Sequence, residues 1–378
     1  MEKKLLKILD SKAAEHFPWI KKKALAKESL EHLNSIEDGE CVELRGNTSK
    51  YFAYWSKVEN LFKVYSSTTF DIVKSFDQAL SSAITYRLQV GLSFENLRVL
   101  FSESDEFPGL TIDKYGDIAV ILLSSSALVK YVDYFAQTLT NRLQCSQIVV
   151  KGGKKFSSLK ASQSEITTIL TEHDIKYFVD IVNGHKSGFY LDQRKNRLFV
   201  RNFVSKKAKV LDLFCYSGGF GLNLAAAGAE YVCFVDETSI AQEQLAETLK
   251  LNKFAAKTEV IKANAFEFVK NCTEKFNIIV ADPPSLTSNW QDLPQAKIAL
   301  KNLLKSCVKL LLPKGVLIFF SCSYHLSLQH LSEIVSQLSR ELGRKIYVLQ
   351  YFFQDLDHPV VASFPPSEYL KGLAVLID

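Results

Sequence analysis

From about residue 207 the apolar positions of the chain fall into an alternating pattern. AKVLDLFC, YVCFVD, TEVIKA, FNIIVADPP and VLIFFSCS are short, nearly continuous apolar runs, as strands buried on both faces require. Between them lie segments whose apolar residues recur every three or four positions, such as GLNLAAAG and SIAQEQLAETLKLNKF, as amphipathic helices do. Strand and helix in strict alternation with short links predict an α/β domain built on a mostly parallel, doubly wound sheet. A sheet of that kind binds its ligands at the carboxyl ends of its strands.

Earlier in the chain the pattern differs. Residues 1–70 read as a short helix followed by the strands ECVEL, YFAYW and LFKVYS, a small β-rich module. FDIVKSFDQALSSAITYRLQV then has helical spacing. NLRVLFSE, LTIDKYGD, IAVILLSS, a helix around 127–144 and QIVVKG follow, giving an α+β piece. The expected organisation is therefore a module over 1–68, a central domain over 69–175 and the α/β domain over 176–378.

Composition narrows the class. With 47% apolar and 23% charged residues the 378-residue chain has the balance of a soluble globular protein. No run approaches the roughly 20 apolar residues of a membrane span, and the first residues lack the apolar core of a signal peptide. Seven scattered cysteines without a CxxC pair suit reduced thiols, so a cytoplasmic protein without a metal site is expected. Charge adds a direction: residues 1–27 hold eight lysines against Glu2, Asp10 and Glu15. Lys151, Lys154 and Lys155, and Lys206, Lys207 and Lys209, form smaller clusters that suit a phosphate backbone.

Four strand ends and one loop carry candidate chemistry. DLFCYSGGFG, Asp212 to Gly221, ends the first strand of the α/β domain in a glycine turn that lets backbone approach a ligand. It is neither GxGxxG nor a P-loop. The second strand ends in Asp236, placed to accept hydrogen bonds from both hydroxyls of a ribose, so an adenosine-bearing cofactor is indicated. VADPPSL fixes Asp282 ahead of a rigid double proline. GHKSGFYLDQR, Gly184 to Arg194, mixes glycines, cations, rings and an acid and reads as a loop lining a site. Finally, SCS places Cys322 at the end of another strand.

In this order, HFPWI, SESDEFPGLTIDKYGD, GHKSGFYLDQR, DLFCYSGGFG, ADPP, SCS and DHPVVASFPPSEYLKGLAV resemble the bacterial RlmI-like large-subunit rRNA methyltransferases over essentially the whole chain. The resemblance implies an N-terminal PUA domain, a small central domain and a class I methyltransferase domain with a seven-stranded sheet. It implies S-adenosylmethionine as cofactor and 23S rRNA as partner, methylated at carbon 5 of a cytosine; a homodimer is compatible with it. By the same resemblance Tyr216, Ser217, Gly218 and Gly219 form the cofactor loop and Asp236 holds the ribose. Asn264 lies near the adenine, and Gln193 and Arg194 lie over the cofactor. Asp282, also at the cofactor, is the acid beside the target base, and Cys322 is the nucleophile. The chain departs from the family where Ser285 and Leu286 follow the double proline, and where TEHD occupies 171–174. Methylation of another base, such as guanine N7, and a non-catalytic RNA-binding protein stay open at this point.

The nucleophile reading has a chemical basis. Carbon 5 of cytosine is electron-poor, and attack of a thiolate at carbon 6 makes it enamine-like and able to accept a methyl group. Alternation along a strand turns Ser321 and Ser323 away from the side that Cys322 faces. Cys215, beside the glycine turn, is the rival thiol and is expected to pack or touch cofactor.

Overall fold

The computed structural model describes the chain except for residues 1–3, 15–16, 153–164 and 288. It divides into two compact units, Met1–Ile166 with Leu356–Ser367, and Thr167–Asp355 with Glu368–Asp378. Among the described residues, no helix is long and apolar enough to cross a membrane.

The first unit opens with β1 (Lys4–Lys7), α1 (Asp10–Ala14), β2 (Trp19–Lys21), α2 (Lys27–His32), β3 (Cys41–Arg45), β4 (Lys50–Ser56) and β5 (Leu61–Ser66). The expected opening helix is thus preceded by a strand: Lys4–Lys7 pairs in parallel with Val42–Arg45, burying Leu6 while Leu5 and Lys7 stay exposed. The five strands form one sheet in the order β1-β3-β4-β5-β2. Next come α3 (Ile72–Gln89), β6 (Asn96–Phe101), β7 (Leu110–Tyr115), β8 (Ile118–Leu123), α4 (Val132–Leu143) and β9 (Gln147–Gly152). Asp71 caps α3 by accepting from the amides of Val73 and Lys74. The strands β6 to β9 form a four-stranded sheet in chain order.

The two sheets of this unit share a core, because Phe52, Tyr54 and Tyr65 pack in one cluster with Phe76, Leu97 and Phe107. The distant segment 356–367 joins them through Asp357. Its carboxylate accepts from the Arg98 amide at 2.9 Å and its carbonyl from Arg87 at 2.8 Å. Arg98 in turn forms a buried two-point ion pair with Asp113 at 2.7 and 2.9 Å, and removing one partner of such a pair typically costs about 3–5 kcal/mol.

The second unit begins with a hairpin, β10 (Thr167–Glu172) and β11 (Ile175–Asp180), turning at His173 with φ 56°. After α5 (Arg194–Phe199) come β12 (Lys209–Leu213), α6 (Gly219–Ala226), β13 (Tyr231–Asp236), α7 (Ser239–Leu251), β14 (Lys257–Lys262) and α8 (Ala265–Asn271). The series closes with β15 (Phe276–Ala281), α9 (Leu293–Leu310), β16 (Leu311–Ser321), α10 (Leu328–Leu342), β17 (Ile346–Phe353) and β18 (Lys371–Ile377). The seven strands from β12 onward form a sheet in the order β14-β13-β12-β15-β16-β18-β17. All pairs are parallel except those of β18, which runs antiparallel between β16 and β17.

This order places the chemistry. The chain winds outward from β12 through β13 to β14, then returns to the other side of β12 with β15. The loops after β12 and β15 therefore leave in opposite directions and open a crevice between them. The hairpin is tied alongside: the amides of Lys176, Phe178 and Asp180 donate to the α7 C-cap Asn252 and to Thr248 and Gln244 on α7 at 3.0 to 3.1 Å. Side-chain acceptors thus satisfy a strand edge that would otherwise stay open.

Candidate active site

A cavity of about 380 Å³ occupies that crevice, within the size range of small-molecule sites. Its floor is the turn after β12. Phe214, Tyr216 and Gly218 there have φ of 58°, 49° and 81°, left-handed geometry that is strained for the two aromatic residues. Three contacts hold the strain. Buried Asp212 accepts from the Gly221 amide at 2.7 Å, closing the turn onto the start of α6. Asp236 Oδ2 accepts from the Tyr216 amide at 2.9 Å. The Tyr216 hydroxyl donates to the Gly188 carbonyl at 2.9 Å while accepting from His185 N and Gln244 Nε2. Tyr216 thereby fastens the 184–188 loop over the glycine turn. A Cβ on Gly184 would stand 2.9 Å from the Tyr216 hydroxyl and 2.4 Å from the Asp180 carbonyl, so that loop needs glycine to come so close.

The sequence-predicted residues separate on inspection. Tyr216, Ser217, Gly219, Asp236, Asn264, Gln193, Asp282 and Cys322 line the cavity. Gly218 stands behind the lining as the cap of α6. Arg194 is directed elsewhere, with Nη1 3.3 Å from Asp355 and Nε 3.8 Å from Glu172. The arginine at the cavity is Arg197, one helical turn on, buried against the Phe189 ring and bonded to Glu172 at 2.6 and 2.7 Å. Asn264 caps α8 with its carbonyl and donates from its amide to Glu237 at 2.9 Å. Glu237, Phe266, Lys186 and Asp192 also reach the cavity, although no strand-end pattern singled them out.

Two subsites emerge. On one side are the carboxylates of Asp236 and Glu237 and the edge-to-face rings of Phe214 and Phe266, 5.2 Å apart. Carboxylates that can accept from ribose hydroxyls, beside aromatic walls and a glycine turn, suit an adenosine. On the other side are Asp192, Gln193, Asp282 and Cys322. Cys322 is the first residue beyond β16; Ser323 is buried and donates to the Thr287 carbonyl at 2.8 Å, and Ser321 is buried as well. The thiol alone of the three enters the cavity.

Electrostatics distinguishes these groups. Asp282, held by Gln193 Nε2 at 3.0 Å, is pushed up to about 7, first by burial and then by the charge of Asp192. Cys322 is pushed up to about 11 by burial and by Asp282, against the opposing pull of Lys186. The thiol is therefore protonated at neutral pH in the free protein, with the Asp282 carboxyl in the same cavity. Cys215 is buried still more deeply, its thiol driven well above the usual range, and its Sγ lies 3.8 Å from the Tyr216 carbonyl. Buried Lys371, opposite Ser321 in the sheet, has its ammonium pulled below the lysine range by burial.

Comparison with known proteins agrees with this geometry. A family model described as "Conserved hypothetical protein 95" matches residues 191–350. Among solved structures, "a putative sam-dependent methyltransferase" from Streptococcus mutans superposes with a TM-score of 0.81 at 18% identity, covering 99% of this chain and all of its own. Trm5b from Pyrococcus abyssi gives 0.56 at 16% identity, covering 91% and 93%. These likenesses show the methyltransferase fold. Ribosomal RNA large subunit methyltransferase I of Citrobacter koseri is 30% identical, over 94% of this chain and 94% of its own. The enzyme of the same name from Escherichia coli SMS-3-5 is 31% identical with the same coverage. With the glycine turn, Asp236, Glu237 and the Cys322 thiol in one crevice, and identity at that level over nearly the full length, the chain belongs to the ribosomal RNA large subunit methyltransferase I family.

Proposed function

We propose that this S-adenosylmethionine-dependent RNA methyltransferase converts a cytosine of 23S ribosomal RNA to 5-methylcytosine through a covalent bond from Cys322. The observation that carries the reading is that Cys322 and Asp282 line the same cavity as an adenosine-type subsite. Asp236 and Glu237 would hold the ribose, Phe266 would flank the adenine, and Tyr216 to Gly219 would carry the amino-acid end. When bound there, the cofactor supplies the methyl group as an electrophile.

The protein's own part follows from the protonation states. Asp282 takes the Cys322 proton and passes it to ring nitrogen 3 as the thiolate adds to carbon 6, so no net charge is created in a buried site. Carbon 5 gains a methyl group while retaining its hydrogen. A base must then remove that hydrogen before the S–C6 bond breaks. The target base reaches the crevice by flipping out of its stack.

Incubating unmodified 23S rRNA with protein and cofactor, then digesting it to nucleosides, is expected to yield 5-methylcytidine. Appearance of 7-methylguanosine alone would contradict the reading.

The first unit, read as a PUA-like module, would hold the RNA. Lys4 and Lys7 pair with Glu40 and Glu28, and Lys21, Lys22 and Lys23 are exposed on consecutive positions. Lys154 and Lys155 lie outside the described residues. Because the module shares its core with the four-stranded sheet, substitution tests it more cleanly than truncation. Replacing Lys21, Lys22 and Lys23 by alanine is expected to lower the slope of log affinity against log salt by about 2–3 units, three released counterions' worth. An unchanged slope would remove these lysines from the RNA interface.

A further inference from the structure

Resting on the cytosine reading, the reaction needs a base for the hydrogen on carbon 5, and we propose that Asp192 is that base. Asp192 sits between Leu191 and Gln193 in the 184–194 loop and is buried at the cavity wall. Its Oδ2 accepts from the Tyr369 hydroxyl at 2.5 Å and lies 3.5 Å from Lys186 Nζ, which fixes the carboxylate on the side shared with Asp282 and Cys322. Its backbone is held too, since the Asp192 carbonyl accepts from the Asp355 amide at 2.9 Å. The charge of Asp192 is felt by both Asp282 and Cys322, so the three reactive groups are close neighbours in one desolvated pocket. Two carboxyls here have separate surroundings. Asp282 faces a neutral amide from Gln193, while Asp192 faces an ammonium and a phenol. Pairs of carboxyls in such different environments divide acid and base roles between them.

The steps balance with this division. Sulfur forms a bond to carbon 6 as nitrogen 3 gains the proton from Asp282, leaving an enamine at carbon 5. Once carbon 5 carries both hydrogen and methyl, Asp192 takes the hydrogen as a proton. The C–H electron pair restores the C5–C6 double bond, and the S–C6 pair leaves with Cys322. Nitrogen 3 returns its proton through Asp282 to the thiolate. The one net proton of the reaction rests on Asp192 and passes to water when the RNA departs.

The test separates this role from the thiol chemistry itself. Asp192→Asn is expected to bind cofactor and to trap RNA carrying 5-fluorocytosine as wild type does, since that adduct needs no base. On RNA with ordinary cytosine and cofactor it should accumulate a methylated protein–RNA adduct that wild type resolves. Without cofactor, tritium release from RNA labelled at cytosine carbon 5 should fall by about 100-fold or more. For Asp192→Ala, added formate should restore part of that release. Tritium release within tenfold of wild type, or no adduct from a variant that still traps 5-fluorocytosine, overturns the assignment, as does absence of formate rescue in an alanine variant that binds cofactor. Failure of wild type to trap 5-fluorocytosine RNA is a different result and sinks the cysteine mechanism instead.

Discussion

Cys322→Ala is expected to abolish methyl transfer, by a factor on the order of 10⁴ or more, the scale of losing a covalent nucleophile. Cofactor affinity should stay within about twofold, because the adenosine-type subsite is built from Asp236 and Glu237 at the end of β13 and Phe266 at the start of α8. Stability should fall by only about 1 kcal/mol, since the thiol is half-buried and its loss leaves a small void. The measurement is single-turnover methylation beside calorimetric cofactor binding. A variant that methylates at near wild-type rate would reduce Cys322 to a packing residue. Cys215 would not replace it: although it also lines the cavity, burial drives its thiol well above the usual range, so it stays protonated at neutral pH.

The second large effect concerns Asp282. With its carboxyl near 7 and the Cys322 thiol near 11, the productive form has one proton shared between the two groups. Below pH 7 both groups hold protons and the thiol has no acceptor, so kcat/KM should rise tenfold per pH unit up to about 7 and then stay level. Asp282→Asn removes the acceptor. Turnover at pH 7.5 is expected to drop by about 10²–10⁴-fold, and the plateau should give way to a rate that climbs with thiolate fraction through pH 9. A variant profile that keeps the break near 7 would assign that titration to another group. Cofactor binding should again persist, because an asparagine carbonyl can still accept from Gln193 and the side chains of Asp236, Glu237 and Phe266 are untouched.

Much of this arrangement is visible in the chain before any coordinates. The alternating run from Lys209 to Ser321 folds as read because its central strands are buried on both faces and consecutive strands pair in the sheet, except where the chain crosses from β14 to β15 on the far side of β12. Asp236, Asp282 and Cys322 stand at strand ends, where topology alone directs them to one edge. What escapes is non-local. β18 carries the apolar run LAVLI, yet nothing within the run tells that it inserts antiparallel between β16 and β17. The pairing of β1 with β3, and the return of Asp357 to Arg98 and Arg87, likewise depend on contacts far along the chain. In the loop 184–194 the pattern marks a site without telling Arg194 from Arg197. Helical rotation decides that choice: three residues on, Arg197 faces the cavity and Arg194 faces Asp355. Asp192 is hidden for a similar reason, its role arising only where Tyr369 and Lys186 converge on it.

The most direct test of the covalent mechanism is mass spectrometry of wild-type protein incubated with cofactor and RNA carrying 5-fluorocytosine at the target position. Fluorine cannot leave carbon 5 as a proton does, so the reaction should stop at the methylated adduct. The expected product is one cross-linked peptide, containing Cys322 bonded to the fluorinated, methylated nucleotide, and absent from Cys322→Ala. No adduct in a preparation that methylates ordinary RNA, or an adduct on Cys215 instead, would contradict the assignment of Cys322 as the nucleophile.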